Sequence, residues 1–319
     1  MSQNAVVAVP WFNHNVIHMR SFHDIARGHT GITSCARLSV VVILLALWPR
    51  SACAQGGPPL MTDDPDTPGP GYWEINVATL LDASRREHRV ETPRIDLNYG
   101  VGRRIQLKFE VPWVRVREGD DETQTGAGDA AAGVKWRFLG QEGTRIAWSV
   151  YPQFEFHTAH SSIAKGIVEE GRQFLVPTEL TVEFVHGEVN AEVGRNFVED
   201  RSDNWIFGVS TEGSVTKRLE LLGELHGEEI PGETTELFAN IGARPKLTRR
   251  LILLLATGRT VHKPPNAGPR IYVYVGLQFN LPTQYSFKNG NCAARRWPQP
   301  QLVSVRGSHV PSVPLKEFR

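Results

Sequence analysis

The sequence predicts an all-β chain, an antiparallel transmembrane β-barrel of about twelve strands with short periplasmic turns and longer external loops. Three observations carry that expectation. From Tyr72 to Phe279 apolar and polar residues alternate in segments of about ten residues, the length at which a tilted strand crosses a bilayer. The connections between these segments alternate short and long. Ahead of them stands a short apolar run with the form of an export signal.

That run, Leu38 to Trp48, carries no charge, follows Arg37, and leads through Pro49 and Arg50 to Ala52-Cys53-Ala54. A basic flank, an apolar core and an Ala-x-Ala ending make residues 1–54 a secretory signal peptide, cut after Ala54. The run is too short for a spanning helix, which needs roughly 20 residues. Met19 offers an alternative start that would omit residues 1–18. Arg50 stands where a lipoprotein signal needs an aliphatic residue, so Cys53 is not read as a lipid anchor. Cleavage removes Cys35 and Cys53 and leaves Cys292 alone, which excludes an intramolecular disulfide.

Residues 55–71 are rich in Pro, Gly and Asp and are expected to form an irregular, solvated periplasmic segment, because proline removes backbone donors. Strands are expected near 72–82, 89–99, 104–116, 129–139, 145–158, 173–186, 188–198, 204–217, 219–228, 234–247, 250–261 and 270–279, so that 72–279 is the barrel. The period of two is plainest where Ile105, Leu107, Phe109, Val111 and Trp113 alternate with Gln106, Lys108 and Glu110. No helical period is evident outside the signal. Residues 280–319, with Pro282, Pro298, Pro300, Pro311 and Pro314, read as a disordered tail.

The two faces decide the environment. The polar one carries Lys108, Glu110, Lys135, Arg137, Glu155, Glu179, Glu183, Glu192 and Glu212, and unpaired charges in a sandwich core would cost several kcal/mol each. Either the apolar face is an inner core, as in a soluble periplasmic β protein, or it meets lipid and those nine residues line a lumen. Uniform strand lengths favour lipid. So do aromatic residues towards strand ends (Trp73, Trp113, Phe138, Phe156, Phe197 and Trp205).

The residues Pro58-Pro59-Leu60-Met61-Thr62-Asp63-Asp64-Pro65, then Gly71-Tyr72-Trp73-Glu74, resemble the opening of the MetA-pathway of phenol degradation family of small outer-membrane barrels. Pro93–Gly100 leading to Val111-Pro112-Trp113 is similar to that family too. So is Gly126-Ala127-Gly128-Asp129 running into Gly133-Val134-Lys135-Trp136-Arg137-Phe138. The resemblance covers residues 58–140 and implies a bacterial outer-membrane transporter of small, including aromatic, molecules. It implies no catalytic residues. Tyr272–Phe279 also resembles the strand by which such barrels engage the outer-membrane insertion machinery, although there the aromatic normally ends the chain.

Composition narrows the function further. The 35 Lys and Arg balance 34 Asp and Glu to a net charge of +1, which argues against a nucleic-acid partner. Thr62-Asp63-Asp64-Pro65 lacks the ligand spacing of a calcium loop, and no metal or other cofactor is expected. His157 with His160, Ser161 and Ser162 lacks the elbow of a serine hydrolase, so the chain is not read as an enzyme. The expected function is passive passage of a small solute across the outer membrane, with the lipid bilayer and that solute as partners. A lumen filled by its own paired charges, giving a structural barrel without transport, stays open beside it. An outer-membrane hydrolase is a further alternative.

Overall fold

The computed structural model describes residues 57–119, 121–140, 144–185, 187–263 and 269–283. The expected signal, the start at Met19 and the tail beyond residue 283 lie outside the described residues. Fourteen strand segments and one short helix follow in chain order: β1 (Tyr72–Ala83), β2 (Glu87–Val101), β3 (Ile105–Glu118), β4 (Gln124–Ala127), β5 (Ala130–Leu139), β6 (Ile146–Val150) and β7 (Gln153–Phe156). Then come α1 (His160–Ala164), β8 (Gln173–Glu183), β9 (Glu188–Val198), β10 (Asn204–Thr216), β11 (Leu219–Glu229), β12 (Glu236–Pro245), β13 (Leu251–His262) and β14 (Ile271–Pro282).

The segments make twelve antiparallel staves. Both β4 and β5 pair with β3, through Trp113↔Ala127 and Glu110↔Ala131. Both β6 and β7 lie beside β5, through Trp136↔Val150 and Gly133↔Gln153. Pro152 causes the second break, since it has no N–H to give the ladder. The backbone bonds on regardless, with Val134 N–H donating to Pro152 O at 3.0 Å and Tyr151 N–H to Pro177 O at 3.0 Å. Strand β14 returns to β1 from Tyr72↔Pro282 to Ala83↔Ile271, so the sheet closes and leaves no edge.

Three local differences from the sequence expectation have simple causes. Residues 124–127 pair as a strand although Gly and Ala give them no apolar alternation. The five residues of α1 are too few to show a helical period. And β14 runs on to Pro282, because pairing with β1 continues to Tyr72↔Pro282 and Thr283 N–H still donates to Gly71 O at 2.8 Å.

One face of every stave is exposed and apolar, for example Leu107, Phe109 and Trp113 on β3, with Trp113 52% exposed. The other is buried and largely polar. Two apolar clusters interrupt the polar interior. One joins Leu60, Ala78, Leu80, Leu222, Leu254, Ala256, Tyr272 and Tyr274, and the other joins Val114, Val116, Ile167 and Val168. Each includes residues from outside the barrel wall. Leu60 comes from the N-terminal segment, and Ile167 and Val168 from the long connection between β7 and β8.

The expectation of a solvated N-terminal segment is therefore corrected. Leu60, Thr62 and Asp64 are buried inside the barrel. The segment is irregular, as its prolines require, but its unpaired backbone groups find partners on the barrel wall in place of water. At the other end Arg89 Nη1 donates to Ile167 O at 2.9 Å and holds the β7–β8 connection inward. A Cβ on Gly126 would lie 2.8 Å from Ile167 Cδ1, so the missing side chain gives that connection its room.

Candidate functional site

The site is the barrel interior, and alternation along each stave builds it. Strands β2, β3 and β5 contribute a wall with the cations Arg94, Lys108, Lys135 and Arg137. Across from it, β8 to β11 contribute Glu179, Glu188, Glu192, Glu212, Glu220 and Glu224. All of these are buried except Arg94 and Lys108, which are half-buried. A register shift on β2 between Glu91 and Arg94 lets residues three apart point the same way, and Arg94 Nη1 meets Glu91 Oε2 at 2.8 Å. Arg94 also pairs with Glu110, which lies 3.3 Å from Lys108 Nζ.

Between the walls runs the N-terminal segment, and its acids meet the cations. Lys135 Nζ donates to Asp63 Oδ1 at 2.9 Å and to the Asp64 carbonyl, with Glu179 Oε2 at 3.4 Å. Burial works to raise the Asp63 carboxyl. The Lys135 and Lys108 ammoniums outweigh it and hold that carboxyl below its usual range. Arg137 Nη1 donates to Asp66 Oδ1 at 2.7 Å and its Nη2 to Arg103 O at 2.7 Å.

The opposite wall takes the backbone of the segment. Glu224 accepts the N–H groups of Met61 and Thr62, and Glu192 accepts that of Asp63 at 3.2 Å. Tyr272 donates to Pro59 O at 3.1 Å. Arg244, paired with Glu212 at 2.7 Å, donates to Gly57 O and Pro58 O. Close approach at β10 depends on Gly208, where a Cβ would fall 2.1 Å from Thr62 Oγ1.

The remaining residues of the expected polar face lie on the same inward parity. Glu155 accepts from Gln173 Nε2 at 2.9 Å, and Glu183 is half-buried opposite Glu188. Several interior polar atoms have no hydrogen-bond partner among the described residues: Asn76 Oδ1, Asp96 Oδ1, Glu179 Oε1, Glu212 Oε1, Asn240 Oδ1 and Arg137 Nε. A dry core could not hold so many, so this interior is suited to water or a polar solute.

Sequence reasoning takes the carboxylates of the segment for turn caps or contacts at the barrel mouth and misses their pairing with Lys135 and Arg137, and it misses Asp82, Glu236 and Arg270. Arg270 binds both Asp82 and Glu236, the second at 3.0 Å. Of the residues weighed for hydrolysis, His157 has both ring nitrogens engaged, Nδ1 with Asp129 Oδ1 at 3.0 Å and Nε2 with the Gly171 N–H at 3.1 Å. Neither Ser161 nor Ser162 is among its partners, and Ser162 is buried.

No protein-family profile matches the chain, and no curated protein matches it. Among solved structures, the COG4313 outer membrane channel from Pseudomonas putida F1 aligns with a TM-score of 0.59 at 12% identity, over 70% of this chain and 100% of that one. The fold is a twelve-stave closed antiparallel β-barrel, similar to the fold of that channel. Weaker likenesses run to a KdgM porin (TM-score 0.46, 10% identity, 65% of this chain and 99% of that one) and to the CymD monoaromatic hydrocarbon channel (0.40, 7%, 67% and 90%). The likeness in fold rests on the first of these. The narrower resemblance to the phenol-degradation family rests on residues 58–140 alone.

Proposed function

We propose that this chain is a passive channel that lets a small polar or amphipathic solute cross the outer membrane, and that it is not an enzyme. The observation that carries the reading is the interior itself. Opposed cationic and acidic walls run along the barrel, and several polar atoms on them have no hydrogen-bond partner among the described residues, a lining suited to a polar solute. The apolar patch of Leu80, Leu222, Leu254, Tyr272 and Tyr274, against which Leu60 packs, would give such a path one greasy side once the N-terminal segment withdraws. That side suits an aromatic solute, the class that the resemblance over residues 58–140 implies. The similar Pseudomonas putida protein is described as an outer membrane channel, which agrees with the reading.

The N-terminal segment favours a second reading, a permanently plugged barrel, because Leu60 and Thr62 are packed into the same interior. Planar-bilayer recording separates the two. The full chain is expected to conduct weakly, and a variant lacking residues 57–66 to conduct several-fold more. Silence from both would leave the structural barrel and remove the channel.

A further inference from the structure

The outer surface of the β2–β3 hairpin carries, at its long-loop end, a concavity of about 360 Å³ lined by Arg85, Arg86, His88, Arg115 and Arg117, with Val90 among them. Register explains the cluster. His88 stands opposite Arg117 and Val90 opposite Arg115, so these four share one face of the sheet. That face is the outward one, because the intervening Arg89, Val114 and Val116 are buried inside the barrel. Arg85 and Arg86 come from the connection between β1 and β2 and close the cluster from above.

No ion pair among the described residues neutralises these charges. Glu87 and Glu118 face each other across the same hairpin, but on the inward parity. Asp121 and Glu122 follow in the exposed loop. Among the described residues none of the four arginines forms an ion pair. Directly below on the same face of β3 come Trp113, Phe109 and Leu107, all exposed. The arginines therefore begin where the apolar belt stops, at the height of lipid headgroups.

We propose that this concavity is a binding site for the phosphate groups of a phosphorylated lipid in the leaflet at the long-loop end. Four guanidiniums that share one surface and form no ion pair among the described residues repel one another, and a phosphate relieves that repulsion while accepting paired N–H donors from each fork. A soluble anion held by exposed arginines in water would gain little. A lipid differs because its acyl chains lie along Trp113 and Phe109, so the apolar contact presents the phosphate to the arginines at high local concentration.

The test uses the full chain, purified in nonionic detergent, with diphosphorylated lipid A as the probe. Bound lipid is measured on the wild type, on Arg115→Gln/Arg117→Gln, and on Arg103→Gln/Arg104→Gln, which removes equal charge at the opposite end. Unboiled gel migration verifies that each variant is folded. Wild type and the Arg103/Arg104 control are expected to bind alike, with the Arg115/Arg117 variant weaker by roughly 30-fold. Lipid A stripped of its phosphates should bind as weakly as that variant does to the intact lipid. Equal binding by all three proteins, or equal binding of the stripped lipid, would overturn the proposal. So would displacement of the lipid by equimolar inorganic phosphate, which would mark a site for a free anion.

Discussion

The Arg244 guanidinium is 2% exposed inside the barrel and holds Glu212 at 2.7 Å while it donates to two carbonyls of the N-terminal segment. Removing one partner of such a pair strands the other, at a cost of about 3–5 kcal/mol. Arg244→Met is therefore expected to lower the temperature at which the unboiled form unfolds. Adding Glu212→Gln should recover much of that loss, because the stranded carboxylate is gone. A double variant as unstable as the two single losses summed would mean that the pair is not coupled. Alternation alone put Lys108, Glu110, Lys135, Arg137, Glu179, Glu192 and Glu212 on one side of their strands, and their side chains point inward. Glu91 with Arg94 was not legible in this way, because a bulge changes the parity between them. Nor was Arg270 with Asp82, whose 188-residue separation leaves no trace in a local pattern.

At the scale of the element, the segment from Gly57 to Gly71 is where composition misled. Its prolines foretell an irregular path, but composition says nothing of where that path runs. The partners that draw it inside, Lys135 and Arg137, lie some seventy residues on, at |i−j| of 71 to 72. Gly208 supplies a test that leaves every charge in place. A leucine there would occupy the space of Thr62, whose hydroxyl lies 2.1 Å from the position of the added Cβ. With the native cysteines replaced by serine, Thr62→Cys should resist a water-soluble thiol reagent, since Thr62 is fully buried. Adding Gly208→Leu should make it react at least about tenfold faster, the response to about 1.4 kcal/mol of lost docking. Equal protection in both proteins would show that Thr62 does not lie against β10.

For the whole molecule the question is which solvent meets the outer face. Trp113, Trp136, Trp148, Phe174, Phe197, Trp205, Leu225 and Ile241 are all exposed there, Ile241 at 69%. They come from eight consecutive staves, and exposed Val261, Val275, Val77 and Val101 continue the ring over β13, β14, β1 and β2, so together they form a belt and not the isolated patch of a few hundred Å² that a soluble monomer tolerates. Period-two alternation made this belt legible in the sequence, and the even stave count made closure legible. The direct bonding of β1 to β14 was not, because their paired residues stand about two hundred positions apart. Closure predicts behaviour. With β1 bonded to β14 over the whole of Tyr72–Ala83, detergent finds no free edge at which to begin unzipping the ladder. Protein from isolated outer membranes should therefore run as a compact band on a denaturing gel when unboiled, and shift to the mobility of its full mass after boiling. A protein found in the soluble periplasmic fraction, with one mobility before and after heating, would require the apolar face to be turned inward. The polar atoms now buried would then face water, and the proposed channel would have no lumen.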